Sequence, residues 1–219
     1  MPDAEPSTTT TPADIDAVVA PVARKRPKPG ERRVQILEAL ATMLEQPGAE
    51  RITTAALAAR LEVSEAALYR HFASKAQMFE GLIEFIEQTV FSLVNQITER
   101  ADEAAGAGTR QAAKIVAMLL QFGEKNPGMT RVMVGDALVF ENDRLQQRMN
   151  QFFDKIEATL RQCLRDAAQA DGAAAPSVQA QVSASLLTAF VVGRLQRFAR
   201  SGFKRMPSEH LEASLALML

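Results

Sequence analysis

Three hydroxyl residues, Thr53, Ser64 and Ser74, divide the stretch from 53 to about 100 into two short segments and one long one. A Ser or Thr at a helix N-cap accepts a hydrogen bond from a backbone N–H that the first turn leaves unpaired, so each starts a helix. From Thr53 a helix is predicted through about Arg60, with Ala56, Leu57 and Leu61 facing inward. Leu61-Glu62-Val63 is too short for anything but a tight turn. Ser64 then opens a helix from Glu65 to about Phe72, and Ser74 opens a long one to about Arg100. Glu65 in the first turn complements the helix dipole. Two short helices joined by such a turn are the geometry that lets the second lie in a DNA major groove. The expected reading unit spans roughly Arg51 to Lys75.

The rest of the 219 residues is also helical in pattern. Aromatics make up 5%, Trp is absent, and Ala, Leu, Gln, Glu and Arg dominate; these favour helix over strand. The fold class is therefore all-α, with nine helices and no convincing strand. Residues 1–30, rich in Pro, Thr, Ala and Asp, form an expected disordered arm. Residues 31–76 form the expected helix-turn-helix domain and 77–219 a helical regulatory and dimerisation domain. The first helix starts at Glu31 with Val34, Leu37, Leu40, Ala41 and Leu44 as its apolar stripe and stops at Pro47-Gly48. Beyond Gly106 and Gly108, helices are expected from about Thr109 to Lys125, through Val139, from about Asp143 to Ala168, from Ser177 to about Arg200, and from Ser208 to Leu219. Asn126-Pro127-Gly128 reads as a stop, and Ser208 as the cap of the last helix.

Within the second short helix, Ala67, Leu68 and Phe72 can hold the first helix, which leaves Glu65, Ala66, Tyr69 and Arg70 outward. Ser64 and Ala66 are small enough for close approach to base edges, and an Ala methyl can pack on a thymine methyl. Arg70 can reach guanine or phosphate. Tyr69 is the only tyrosine and His71 one of two histidines, and Lys75 follows at the start of the long helix. Hydroxyl, imidazole, ammonium and a helix N-terminus all suit phosphate oxygens.

Net charge is −1, which by itself argues against nucleic acid, but its distribution does not. Residues 24–75 carry ten Lys/Arg against six Asp/Glu, whereas residues 1–23 carry four acids and no base. The excess is confined to this one segment, which ends in the predicted reading unit. The basic cluster ARKRPKP just before the first helix fits both a DNA-touching arm and a solubilising tail. Cys163 alone allows no internal disulfide, fits a buried small hydrophobe, and suits a reducing compartment. No metal-ligand spacing, cofactor motif or nucleophile–base pair is recognisable. No apolar run is expected to approach the roughly 20 residues of a membrane span, and no signal-peptide pattern opens the chain. The expectation is a soluble, cytoplasmic, non-enzymatic protein without metal or cofactor.

The pattern ITTAALAARLEVSEAALYRHFASK, with its caps, its L-Y-x-H-F signature and the following Ser-Lys, resembles the DNA-binding domain of TetR-family regulators. That resemblance implies about nine helices, the last two forming the dimer, and DNA contacts from Thr53, Thr54, Ser64, Tyr69, His71 and Lys75. The runs LYRHFASKAQMFEGLIEFIEQ, LLQFGEKNPGMTRVMVGDALVFENDRLQQRMNQFFDKIEATLRQCLR and RFARSGFK are further similar to the nucleoid occlusion factors of that class. The likeness runs from about Arg32 to Pro207 and weakens around Glu99–Arg110 and the loop DGAAAPS. It implies dimers, often paired, on palindromic chromosomal sites. It also implies capture of the C-terminal tail of FtsZ, the tubulin-like division protein, so that no ring assembles over the nucleoid.

An extended peptide needs an apolar groove with polar anchors. Phe85, Met118, Lys125 and Asn126 are the candidates where the fourth and fifth helices run side by side, whereas Ile86 and Phe122 are assigned to the core. Plain core is the competing reading for Phe85 and Met118 as well. For the dimer, Leu186, Leu187, Phe190, Val191, Leu195 and Phe198 make one helix apolar over more than one face. Leu211, Leu215, Leu217 and Met218 line the last helix, and two helices per subunit can form a two-fold four-helix interface, with close approach at Gly193. A ligand-responsive repressor remains the alternative; it would need a cavity of several hundred Å³ with an aromatic lining.

Overall fold

The computed structural model describes residues 30–46, 52–99, 106–170 and 172–219. The expected arm with its basic cluster, the Pro47-Gly48 stop and Arg51 lie outside the described residues. Among the described residues nine α-helices follow one another without a strand. They are α1 (Glu31–Leu44), α2 (Thr54–Arg60), α3 (Glu65–Tyr69), α4 (Lys75–Glu99), α5 (Ala107–Lys125), α6 (Pro127–Met133), α7 (Asp143–Ala170), α8 (Pro176–Arg200) and α9 (Leu211–Met218). A single 3₁₀ turn, Asp136–Leu138, precedes α7.

Several local expectations are corrected. Asn126-Pro127-Gly128 interrupts the chain without stopping it, because Pro127 is the first residue of α6, where a missing N–H removes no helical bond. Ser208 does not cap the last helix. Its N–H and hydroxyl both donate to the Glu124 carboxylate, and α9 begins at Leu211 after His210 at φ 54°. In α1 the inward face is Ile36, Leu40 and Leu44, spaced by four, which turns Val34 outward and leaves Leu37 half-buried. In α2, Leu57 and Ala58 point inward and Ala56 is exposed.

One core cluster runs from Ile36 to Leu195. The long helix α4 carries it from the N-terminal helices into the rest of the fold, with buried residues from Met78 to Val94 along its length. Backbones approach closely at two glycines, since a Cβ on Gly108 would overlap the Cys163 carbonyl and one on Gly128 the Ala41 carbonyl. Ion pairs run along the α4–α7 seam: Arg144 to Glu80, and Arg148 to Glu87 at 2.5 Å. The Glu87 hydrogen bond holds the Arg148 guanidinium above its ordinary pKa. The expected buried cysteine is found at Cys163, and burial pushes its thiol up, with Asp166 adding to the shift.

The helix α8 overturns two expectations. It is long and apolar enough to cross a bilayer by length and composition. Its apolar residues divide between an inner and an outer face. Leu187, Val191, Leu195 and Phe198 are buried in the protomer's own core, so these four cannot meet a second copy. Of the six residues expected at the dimer interface, only Leu186 (55% exposed) and the half-buried Phe190 are accessible. With Val178 and Val182 they make a stripe at four-residue spacing on the outer face. Among the expected α9 residues Leu217 is exposed, while Leu211, Leu215 and Met218 are half-buried against the core.

Candidate nucleic-acid interface

The reading unit forms through its caps. Thr53 Oγ1 accepts from Ala56 N at 3.1 Å, Ser64 Oγ from Ala67 N at 3.3 Å, and Ser74 Oγ from Gln77 N at 3.2 Å. Gln77 reaches back to accept from Ala73 N at 2.8 Å, so the entry to α4 is tied from both sides. The turn after α2 closes as a Schellman motif, with Val63 N bonded to Ala58 O at 3.0 Å and Glu62 N to Ala59 O at 3.1 Å. That closure places Glu62 at φ 53°.

The helix α3 ends at Tyr69, short of the expected Phe72; the chain then tightens as His71 N and Phe72 N both bond to Leu68 O. Leu68 and Phe72 are buried beneath it. Ser64, Glu65, Ala66, Tyr69 and Arg70 are exposed on its outer side, as are Thr53 and, in part, Thr54 and His71. The sequence-derived DNA residues thus lie on or beside α2 and α3, which pack together, and at the start of α4.

Three of these residues are joined to each other. Thr54 Oγ1 donates to Glu65 Oε2 at 2.5 Å, and Tyr69 OH donates to Thr54 Oγ1 at 3.5 Å. Glu65 thus clamps α3 to α2 besides facing the helix dipole. Two further residues escaped the sequence reading. Arg33 on α1 donates to the His71 carbonyl and stacks 4.1 Å over the Phe72 ring, bracing the end of α3. Glu141, before α7, pairs with Lys75 at 2.5 Å. Neither had a local signal, because each partner lies tens of residues away in sequence.

The candidate partner residues lie elsewhere, on α4 and α5, which pack against each other. Phe85 is 47% exposed, Met118 half-buried and Lys125 exposed, while Ile86 and Phe122 belong to the core. Asn126 is half-buried as the C-cap of α5, and its Nδ2 donates to the Phe122 carbonyl at 2.8 Å. One of its two amide hydrogens is therefore already used within the chain, which limits the backbone-donor role expected for it. Among the described residues no group of His, Cys, Asp and Glu could hold a metal ion.

Comparison with known proteins places this geometry. Residues 36–82 match the family of bacterial regulatory proteins, tetR family, and residues 109–219 match the SlmA-like, tetracyclin repressor-like C-terminal domain. The nucleoid occlusion factor SlmA of Vibrio vulnificus is 49% identical over 192 residues, covering 87% of this chain and 95% of that one. SlmA of Idiomarina loihiensis is 50% identical over 187 residues, covering 85% and 93%. The fold is shared more widely. A transcriptional regulator FadR from Bacillus subtilis, in complex with stearoyl-CoA, superposes with a TM-score of 0.68 at 14% identity, covering 84% of this chain and 96% of that one. A TetR-family regulator from Bordetella parapertussis gives 0.65 at 17%, covering 87% and 95%. The chain belongs to the SlmA nucleoid occlusion factors, a non-enzymatic branch of the tetR family of DNA-binding regulators.

Proposed function

We propose that this protein binds palindromic chromosomal sites as a dimer and, from the nucleoid, antagonises assembly of the FtsZ division ring. The observation that carries the DNA part is the outer face of α3. Ser64, Ala66, Tyr69 and Arg70 stand exposed on a helix fixed from behind by buried Leu68 and Phe72. Small residues at the start of the helix and longer polar ones at its end suit base edges and phosphates respectively. Thr53 and His71 flank the helix, and Lys75 opens α4 beside it. Two such helices related by a two-fold axis fit a palindrome, and paired dimers on one site extend the same geometry.

For the dimer, the support is the outer stripe of α8, Val178, Val182, Leu186 and Phe190, together with an exposed Leu217 on α9. A Cβ on Gly193 would meet nothing within 4 Å in the protomer, so this glycine's small size fits close approach by a second backbone. For the FtsZ tail, the support is an exposed Phe85 on α4 and an exposed Lys125 at the end of the neighbouring α5. An aromatic anchor and a cation suit an acidic, partly apolar peptide, with Met118 and Asn126 beside them.

The ligand-responsive alternative finds less support. Phe91, Phe152 and Phe153 stack edge to face at 5.4 and 5.1 Å, and Val90, Ile115, Leu119 and Ile156 are buried among them. A pocket where α4, α5 and α7 meet, about 440 Å³, is lined by Thr98, Gln111, Ala158, Thr159, Gln162, Cys163 and Asp166 and so lacks the aromatic lining that this alternative needs.

Sedimentation of polymerised FtsZ, with and without a DNA fragment selected by the protein's own binding, tests the reading. Loss of pelletable polymer only when specific DNA is present is the expected result. Unchanged polymer with DNA binding intact would leave a conventional regulator.

A further inference from the structure

Lys75 is the expected phosphate contact at the start of α4, yet its ammonium already has an anionic partner. Nζ lies 2.5 Å from Oε1 of Glu141, in the link between the 3₁₀ turn and α7, 66 residues further along the chain. The Glu141 side chain keeps 9% of its exposure and that of Lys75 keeps 30%. The carboxylate is therefore largely shielded, whereas the Lys75 side chain is partly exposed.

We propose that Glu141 competes with DNA phosphate for Lys75. In that role it restrains the protein's DNA affinity and couples occupancy of the DNA face to the link formed by Val139, Phe140, Glu141 and Asn142. The inference rests on the reading of Lys75 as a phosphate contact. A Lys ammonium is a compact charge with three donors, so it can turn toward phosphate while still bonded to Glu141. In that arrangement the carboxylate stays within a few ångströms of the phosphate, well inside the roughly 8 Å screening length, and the two anions repel. If Lys75 instead leaves Glu141, a shielded carboxylate loses its counter-charge, which is also unfavourable. Both arrangements subtract from DNA affinity.

Linkage makes the effect reciprocal, so bound DNA must weaken the tie between Glu141 and α4. The consequence stays local. Arg144 to Glu80 and Arg148 to Glu87 hold α7 against α4 independently, further along the same seam. What is loosened is the short link, where Val139 and Phe140 stand largely exposed. A carboxylate that merely positions Lys75 for phosphate would act in the opposite direction, and affinity measurement separates the two.

The experiment is a set of DNA titrations by fluorescence anisotropy on a self-selected duplex, from about 50 to about 200 mM salt, with Glu141→Gln, Lys75→Ala and the double variant. Glu141→Gln keeps the side chain's shape and removes its charge. It is expected to bind at least about threefold more tightly at low salt, less so at high salt, with the gain absent in the Lys75→Ala background. Lys75→Ala alone is expected to bind more weakly, with the salt slope reduced by about one. If Lys75→Ala weakens binding but Glu141→Gln fails to strengthen it, the competition is overturned and the phosphate contact survives. If Lys75→Ala has no effect, both fall. In the unmodified protein, amide exchange at residues 139–142 should accelerate when the duplex is added; unchanged or slower exchange overturns the coupling, whatever the variants' stability.

Discussion

Glu62 occupies the left-handed position of the turn between α2 and α3 at φ 53°, where a residue with a Cβ is strained by about 1–2 kcal/mol. The Schellman closure fixes that conformation regardless of the residue present. Glu62→Gly relieves the Cβ strain and gives back part of the gain as unfolded-chain entropy. Against Glu62→Ala, which lacks the carboxylate as well, Glu62→Gly is expected to be more stable by about 0.5–1 kcal/mol, seen as a Tm roughly 2 °C higher; an Ala variant at least as stable would mean that the turn carries no Cβ strain. The hydroxyl caps were legible as residue types at fixed spacing, since capping depends only on local backbone. The Thr54–Glu65 bond and the Arg33 brace of His71 and Phe72 were not legible, because nothing in a sequence says which exposed polar groups converge.

Among the elements, α8 shows most plainly what a periodic pattern leaves open. Apolar residues nearly all round a helix say that two faces are covered, but not which face meets the protomer and which a second copy. Packing against α7 and α5 decides only the protomer's share, burying Leu187 and leaving Leu186 exposed. The two neighbours therefore have different expected outcomes. Leu186→Glu should yield a folded monomer on a sizing column, with helical content retained and specific DNA binding lost. Leu187→Glu should lose the fold itself, since an unpaired buried charge destabilises by several kcal/mol. A dimeric Leu186→Glu protein would move the interface away from the outer stripe of α8. The break at Asn126-Pro127-Gly128 illustrates a second ambiguity, because a proline that ends one helix can also start the next.

For the whole molecule, the expected division at residue 76 is a boundary of role rather than of packing. Phe72 is in van der Waals contact range of Gly81 on α4, and Ala41 on α1 lies against Gly128 on α6. The buried faces of α1, α2 and α3 join the same cluster as α5, α7 and α8. A fragment of residues 30–76 is therefore expected to be largely unfolded by circular dichroism, while the full chain should melt in one transition. A cooperatively folded fragment would show that the first three helices hold a sufficient core alone. The shared core also gives α4 a mechanical role. It carries Lys75 at one end and Phe85 further along, so the candidate DNA face and the candidate FtsZ face are borne by one continuous helix.

The sequence by itself determined the starts of α2, α3 and α4, the turn, the all-α class and the outward set Ser64, Glu65, Ala66, Tyr69 and Arg70. Each depends on interactions within about one helical turn, and a linear pattern carries that information. Only the tertiary structure decided that Ile36 rather than Val34 faces inward, that Leu187, Val191, Leu195 and Phe198 belong to the protomer, that Ser208 ties to Glu124, and that Lys75 is held by Glu141. The physical reason is common to all four. Helical periodicity defines faces but not their partners, and the partner is chosen when elements far apart in sequence exclude water together.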